Sequence, residues 1–276
     1  MAITASEVNE LRQKTGAGLM DCKKALTEAN GDLEAAIDLL RKKGQKVSAL
    51  RAGKEAPEGV VIAKTSTDHK TGIVIKLSSE TDFVAKNADF VKFANSIADL
   101  ALSKLPASLE ELLSLKLDNL TVEEKVTEMV GKINENIKLT NYEKVSGETV
   151  VAYNHMGTKI GVLVVLNKPV TEAIEAIGRD VAMQVAAMSP VAVDKTKVDP
   201  TLIEREIAIG REQALAEGKP EAMVDKIAYG KLEKFYKENT LVSQQFVKDN
   251  SKNVEQALQA VDKDLAAVDF KRVALG

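Results

Sequence analysis

Two matching stretches decide the fold: EGVVIAKTSTDHKTGIVIKL, Glu58 to Leu77, and GETVVAYNHMGTKIGVLVVL, Gly147 to Leu166. In each, two runs rich in β-branched residues flank a polar connection, a pattern typical of two short strands joined by a turn. At an offset of about 90 residues, the corresponding positions are Val60-Val61 with Val150-Val151 and Gly72-Ile73-Val74 with Gly161-Val162-Leu163. The pattern therefore predicts a duplicated pair of strands.

A helix-forming segment follows each copy, at Asp89 to Ser103 and at Thr171 to Met188. Because the order strand, strand, helix occurs twice with similar lengths, we interpret it as a duplicated unit. A third strand for the second unit is expected at Leu265 to Val273. The predicted class is α+β, with two antiparallel-sheet-plus-helix core subdomains at residues 55–146 and 147–276.

Three short helices are predicted ahead of the first copy. Thr4 and Glu7 form a capping-box pattern that begins the first helix, and Asp32 caps the third. Each of the three ends at or just before a glycine, namely Gly16, Gly31 and Gly44. The stretch 43–58 is rich in Lys, Ala and Gly and predicts a linker, part of it helical. Residues 1–54 thus form a three-helix domain with its linker.

Two helical segments are predicted between the copies, Ser108 to Lys116 and Thr121 to Lys138. The second has an apolar face that suits either the core or a contact between copies of the chain; it comprises Val122, Val126, Met129, Ile133 and Ile137.

After the second copy, two charged amphipathic segments at 201–216 and 221–238 are joined by EGKP. Gly218 and Pro220 make this join a tight turn. The pattern predicts an antiparallel helical hairpin that projects from the body.

Composition restricts the classes of function. The net charge is −3, and no block of five like charges occurs, which argues against nucleic acid or a membrane surface as the main partner. No apolar run approaches the roughly 18 residues that span a bilayer, and the start lacks the apolar segment of a secretory signal. With one cysteine and two histidines, a His/Cys metal site is not expected and a reducing, cytoplasmic location is.

No motif for covalent chemistry stands out. The string TGAGLMDCKK, Thr15 to Lys24, lacks the glycine before lysine of a phosphate loop and joins two helices, so we interpret it as a turn. Cys22 has the spacing of a packed helix residue. His69 is expected to be a solvated loop residue, and His155 a turn residue facing solvent or a partner. The protein is predicted not to be an enzyme, and no cofactor is expected.

The segment SSETDFVAKN, Ser78 to Asn87, has two interpretations. In the first, Thr81 or Asp82 caps a following helical turn while Phe83 packs beneath it. In the second, Phe83 is an exposed hydrophobic anchor and Asp82 supplies charge at a contact with another molecule. Residue types alone favour the first.

Three motifs stand in order along the chain: LRQKTGAGLMDCKKAL, Leu11 to Leu26, then SSETDFVAKN, then HMGTKIGVLVVL. Together they resemble the elongation factor Ts family, the guanine-nucleotide exchange factors of elongation factor Tu. The resemblance covers nearly the full chain. It implies that residues 1–54 form a ubiquitin-associated-like domain, that the two copies are the core subdomains, and that 201–238 is the coiled-coil protrusion.

The resemblance also implies functional residues. The residues that match the segment associated with displacing magnesium from elongation factor Tu are Thr81, Asp82, Phe83 and Val84. The residues that match other contacts with that partner are Arg12, Leu19, Met20 and His155. Leu19 stands where some relatives have Met, and the ending DFKRVALG differs from longer relatives, so contacts made by their tails do not transfer.

The implied partner is elongation factor Tu, both GDP-bound and nucleotide-free, without direct contact to nucleic acid or membrane. These motifs do not determine the oligomeric state. The alternative function is a non-enzymatic adaptor that binds a partner through the N-terminal helices without nucleotide exchange.

Overall fold

The computed structural model describes residues 3–276. Its α-helices are α1 (Ala5–Thr15), α2 (Leu19–Glu28), α3 (Leu33–Arg51), α4 (Asp82–Ala85), α5 (Ala88–Lys104), α6 (Leu109–Ser114), α7 (Val122–Ile133), α8 (Glu172–Met188), α9 (Pro200–Ala216), α10 (Glu221–Asn239) and α11 (Val254–Gln259). Its strands are β1 (Glu58–Thr65), β2 (Thr71–Ser79), β3 (Lys116–Leu117), β4 (Leu120–Thr121), β5 (Lys138–Ser146), β6 (Thr149–His155), β7 (Ile160–Leu166) and β8 (Ala267–Ala274). Lys195–Lys197 and Leu241–Ser243 are 3-10 turns.

The duplicated strand pairs are confirmed. One three-stranded sheet has the order β1-β2-β5 and the other the order β6-β7-β8, while β3 and β4 form a small ribbon. Strands β6 and β7 are antiparallel, in register from Thr149 opposite Leu166 to His155 opposite Ile160. Helices α5 and α8 follow the two copies as predicted, and β8 is the third strand expected near the C-terminus.

The chain divides into two compact units. The first contains the residues up to Ile62, Ile75–Glu143 and Ala274–Gly276; the second contains Ala63–Val74 and Lys144–Val273. The α+β class is as predicted.

The N-terminal helices form as the caps predict. Thr4 donates its backbone N–H to Glu7 Oε2 at 2.7 Å, and its hydroxyl accepts from the Glu7 amide, which completes the capping box. Helix α1 ends at Gly16, whose φ of 65° suits a residue without Cβ. Leu11, Cys22 and Leu26 are fully buried between these helices and form their small core.

The glycine pattern predicted that helix α3 ends before Gly44, and this prediction is wrong. It continues to Arg51, through most of the expected linker. Gly44 is buried where α3 packs on α7, and a Cβ on the facing Gly131 would lie 2.7 Å from Gly44 Cα. This glycine therefore permits close approach of two helices rather than ending one.

The helix expected over Thr121 to Lys138 is shorter than predicted. It begins with a capping box at Thr121 and ends at Asn134, whose φ of 63° is left-handed. Ile137 therefore lies outside the helix, although it is buried, and β5 starts at the next residue. Strand β5 was not predicted because Leu139 and Val145 are its only buried residues, while the inward positions between them, 141 and 143, carry Asn and Glu and so give no apolar alternation.

In the second unit, α8 packs on the β6-β7 pair. Val162, Val164 and Leu166 of β7 share a buried cluster with Val181 and Val185 of α8. The predicted hairpin is formed by α9 and α10, with Gly218 at a φ of 69° in the turn.

Within residues 3–276, none of the helices combines the length and apolar character that crossing a bilayer would require.

Candidate functional site

The turn that carries Phe83 is a single helical turn, α4. Thr81 caps it, since its Oγ1 accepts from the Val84 amide at 3.5 Å. Phe83 is 83% exposed, and none of the four residues of α4 is buried. The cap that the first interpretation predicted is therefore present, but its prediction that Phe83 is buried is wrong.

Asp82 lies beside Phe83 and pairs with Lys86 one turn later, with Oδ2 at 2.6 Å from Nζ. The hydrogen bond from Lys86 lowers the pKa of the Asp82 carboxyl below its ordinary value, and the same contact raises the pKa of Lys86. Because the folded-state pKa of the acid is depressed, this stabilisation is present at neutral pH and is lost as the pH falls through that pKa. The turn thus presents an ionised carboxylate next to an exposed ring.

Side chains distant in the sequence hold the base of this turn. Glu135 accepts from both the backbone N–H and the hydroxyl of Thr81, at 3.1 and 2.7 Å. Glu80 accepts from Arg51 Nη1 at 3.1 Å and from the Asn136 backbone N–H. Neither Glu135 nor Arg51 was predicted as a site residue, because no local sequence pattern links either residue to Thr81.

A second group of predicted residues flanks the turn between α1 and α2. Arg12 is exposed in the last turn of α1, and Leu19 and Met20, in the first turn of α2, are 49% and 72% exposed. Gly18 is the N-cap of α2, so Leu19 and Met20 are the first two residues of this helix. They are exposed large apolar residues, a type that often marks a contact surface.

The segment around them does not form a phosphate loop. It joins α1 to α2, as the sequence predicted. Cys22 is fully buried, and its Sγ lies 3.6 Å from the Ala17 carbonyl oxygen. Packing is the role of this cysteine, again as predicted.

His155 ends β6 in the second unit and is half-buried. Its Nδ1 lies 2.9 Å from the Tyr153 hydroxyl, which restrains the ring. The next residue, Met156, has a φ of 50° and is 72% exposed. The turn therefore presents an exposed apolar side chain beside a restrained imidazole.

His69 differs from the prediction of a solvated loop residue. It is half-buried, with a φ of 56°, and its Nδ1 is a buried atom without a hydrogen-bond partner among residues 3–276. The reason is that its own backbone is engaged: the His69 carbonyl oxygen accepts from the Val150 amide at 2.6 Å, which holds this loop against β6.

Across the described residues 3–276, no group of three or more His, Cys, Asp or Glu side chains is placed to hold a metal ion. Three turns that carry predicted contact residues also carry exposed large apolar side chains. In the first unit these are Leu19 and Met20 together with Phe83, and in the second unit Met156 beside His155.

Comparison with known proteins gives a consistent result. The family model described as Elongation factor TS matches residues 80–276. The protein named Elongation factor Ts from Amoebophilus asiaticus is 54% identical over 276 residues, covering all of both chains. Proteins of the same name from Cytophaga hutchinsonii and Christiangramia forsetii are 54% and 50% identical over 274 residues, covering 99% of each chain. The matched residues include the Phe83 turn and His155.

Proposed function

The chain belongs to the elongation factor Ts family and is a translation elongation factor, and from this we propose that it is the guanine-nucleotide exchange factor of elongation factor Tu. It binds the GDP-bound partner, displaces magnesium and promotes GDP release, so that GTP can bind. It acts in the cytoplasm by contact between proteins, without covalent catalysis. The observation that carries the proposal is Phe83, 83% exposed on a capped and anchored turn.

The physical basis lies in how a GTPase holds its nucleotide. Backbone amides, a lysine and a magnesium ion act together on the phosphates. An exchange factor therefore gains most by disturbing the phosphate and magnesium end. In our proposal Phe83 wedges between helices of the partner, while the carboxylate of Asp82 perturbs the network that holds the magnesium ligands. Thr81 and Val84 complete the inserted turn.

Thermodynamic linkage requires additional contacts. The exchange factor weakens GDP binding by a certain factor, and by linkage GDP weakens binding of the exchange factor by the same factor. Each tenfold change in affinity corresponds to about 1.4 kcal/mol. One aromatic anchor contributes about 2 kcal/mol, which is too little for a change of many orders of magnitude. We assign the remaining coupling to Arg12, Leu19 and Met20 in the first unit and to the His155 turn in the second.

The functional parts of the chain follow from this proposal. Residues 1–54 act as a ubiquitin-associated-like domain with its linker, and residues 55–146 and 147–276 as the two core subdomains. The hairpin 201–238 belongs to the second of these. This division follows the duplicated sequence pattern and the family resemblance.

The deciding experiment is stopped-flow release of fluorescent GDP from elongation factor Tu of the same organism. We expect the protein to accelerate release in a concentration-dependent and saturable manner. Binding to elongation factor Tu without any acceleration would refute the proposal and favour the alternative, an adaptor that uses the N-terminal helices.

Replacing Asp82 should give a defect that depends on magnesium. Asp82→Ala is expected to slow GDP release by about fivefold at millimolar magnesium, because a carboxylate directed at the magnesium network is lost. The defect should shrink as magnesium is removed with a chelator, because the cation then leaves without assistance. Stopped-flow release over a magnesium titration measures this.

The matched control is Glu148→Ala. Glu148 also pairs with a lysine, Lys70, at 2.7 Å on the surface, so its loss removes a comparable ion pair far from the turn in sequence. Release should be unchanged at every magnesium concentration. An Asp82→Ala defect that stays constant across the titration would contradict a role directed at magnesium.

A further inference from the structure

Helix α4 raises a physical question, because nothing intrinsic to it explains why it is ordered. It has four residues and none of them is buried. Isolated helices this short are unstable in water. Val84 and Ala85 are only partly buried, so apolar packing holds this turn weakly, and polar contacts at its amino end add to its order.

The contacts at its amino end are made by Glu135. The two carboxylate oxygens accept separately, one from the Thr81 hydroxyl at 2.7 Å and one from the Thr81 backbone N–H at 3.1 Å. Thr81 is the capping residue whose Oγ1 accepts from the Val84 amide. Since the hydroxyl donates to Glu135 and accepts from Val84, the carboxylate orients the cap itself.

Glu80 connects the same turn to the N-terminal helices. Its carboxylate accepts from Nη1 of Arg51, the last residue of α3, at 3.1 and 3.2 Å. It also accepts from the backbone N–H of Asn136, which is 3% exposed and donates its side-chain amide to the Lys54 carbonyl. The residues before Phe83, the end of α3 and the turn after α7 therefore form one hydrogen-bonded group.

We propose that Glu135 and Glu80 are positioning residues for nucleotide exchange: they hold the one-turn helix so that Phe83 is presented outward in a single geometry. The proposal rests on the exchange function proposed above. Glu135 orients the cap. Glu80 connects the turn to Arg51 at the end of α3, the helix that follows α2 with its exposed Leu19 and Met20. An anchor residue is effective only if its position is set before contact, because otherwise binding must also order the turn.

The first test uses the free protein and needs no partner. Hydrogen exchange should be measured at the amides of Val84, Ala85 and Lys86, which close the turn onto Thr81 and Asp82. Glu135→Ala should accelerate exchange at these amides about tenfold or more, while the amides of α5 stay protected. Unchanged exchange at the three amides would overturn the proposal.

The second test measures coupling to Phe83 in the GDP-release assay. Glu135→Ala alone should slow release about tenfold, and it should add less than about twofold in a Phe83→Ala background, because its effect passes through the ring. A purely structural role predicts that the two losses multiply and that the thermal midpoint falls. Multiplied losses would overturn the positioning role.

Conservative variants keep the proposal testable if Glu135→Ala folds poorly. Thr81→Ser retains the hydroxyl that bonds to Glu135 and should keep hydrogen exchange slow at the Val84, Ala85 and Lys86 amides of the free protein, whereas Thr81→Val lacks this hydroxyl and should exchange as fast as Glu135→Ala. Glu123→Ala, which removes an exposed acid of α7, is the matched control and should be silent. Equal hydrogen exchange at these amides in Thr81→Ser and Thr81→Val would count against the proposal.

The exchange function and the positioning role of Glu135 are refuted by different results. A parent protein that does not accelerate GDP release refutes the exchange function and with it the role of Glu135 in exchange. The hydrogen-exchange result still shows whether Glu135 orders the turn. A parent that accelerates release, combined with a silent Glu135→Ala, refutes only the positioning proposal.

Discussion

Phe83→Ala should slow GDP release from elongation factor Tu by about thirtyfold, the largest effect expected for one side chain of this protein. The figure corresponds to about 2 kcal/mol, typical of truncating an aromatic anchor at the centre of an interface. Stopped-flow measurement at saturating protein separates a slower release step from weaker binding. A wedge acts on the release step, so the maximal rate should fall.

The fold itself should be unaffected by this change. Phe83 is 83% exposed, so its truncation removes almost no packing, and the free energy of unfolding should change by less than about 0.5 kcal/mol. Leu50 is equally exposed, at 83%, in the same unit, which makes Leu50→Ala the matched control for losing exposed apolar surface. Release by Phe83→Ala at the parental rate would rule out the wedge.

Gly131→Ala should loosen the N-terminal helices from α7. The added Cβ would lie 2.7 Å from Gly44 Cα, closer than two carbon atoms pack, so the helices must separate. Overpacking of this kind costs about 1 to 3 kcal/mol. Hydrogen exchange should accelerate along the second half of α3, and GDP release should slow, because Leu19 and Met20 are no longer held in place.

Gly230→Ala provides a control with the opposite expected sign. Gly230 is also inside a helix, α10, but no heavy atom lies within 4 Å of its added Cβ. Alanine there should stabilise the protein by about 0.4 to 1 kcal/mol, through reduced entropy of the unfolded chain. If Gly131→Ala had the same free energy of unfolding as Gly230→Ala, α3 and α7 would accommodate the added Cβ, and the close contact between Gly131 and Gly44 would not restrict residue 131 to glycine.

Much of the fold could be predicted because its signals are local. The capping box at Thr4 and Glu7 involves residues three apart, and the strand pairs of the two copies are joined by short turns. The hairpin 201–238 likewise follows from helical periodicity and one turn of Gly and Pro. The resemblance to the elongation factor Ts family, carried by three motifs, is confirmed by the family match and by the relatives. The assignment of individual contact residues stays a prediction.

The predicted ends of α3 and α7 were wrong because the same local pattern is compatible with two different structures. A glycine in a helical segment either ends the helix or allows a neighbour to approach, and only the position of Gly131 identifies the second use for Gly44. Ile137 fitted a helical face, yet Asn134 ends the helix and the chain enters β5. In both cases the deciding partner is distant in the sequence.

The sequence by itself therefore determined the class of fold, the duplication, most of the elements and the family. Tertiary structure decided between the two interpretations of Phe83, whose ring faces outward, and it alone showed that Glu135 holds Thr81 across 54 positions of sequence and that α3 continues to Arg51. The physical reason is range. Helix caps, turns and hydrophobic periodicity involve residues within a short stretch of the chain, so they can be predicted from the local sequence. The exposure of a side chain and long-range hydrogen bonds are set only when the helices and strands have packed.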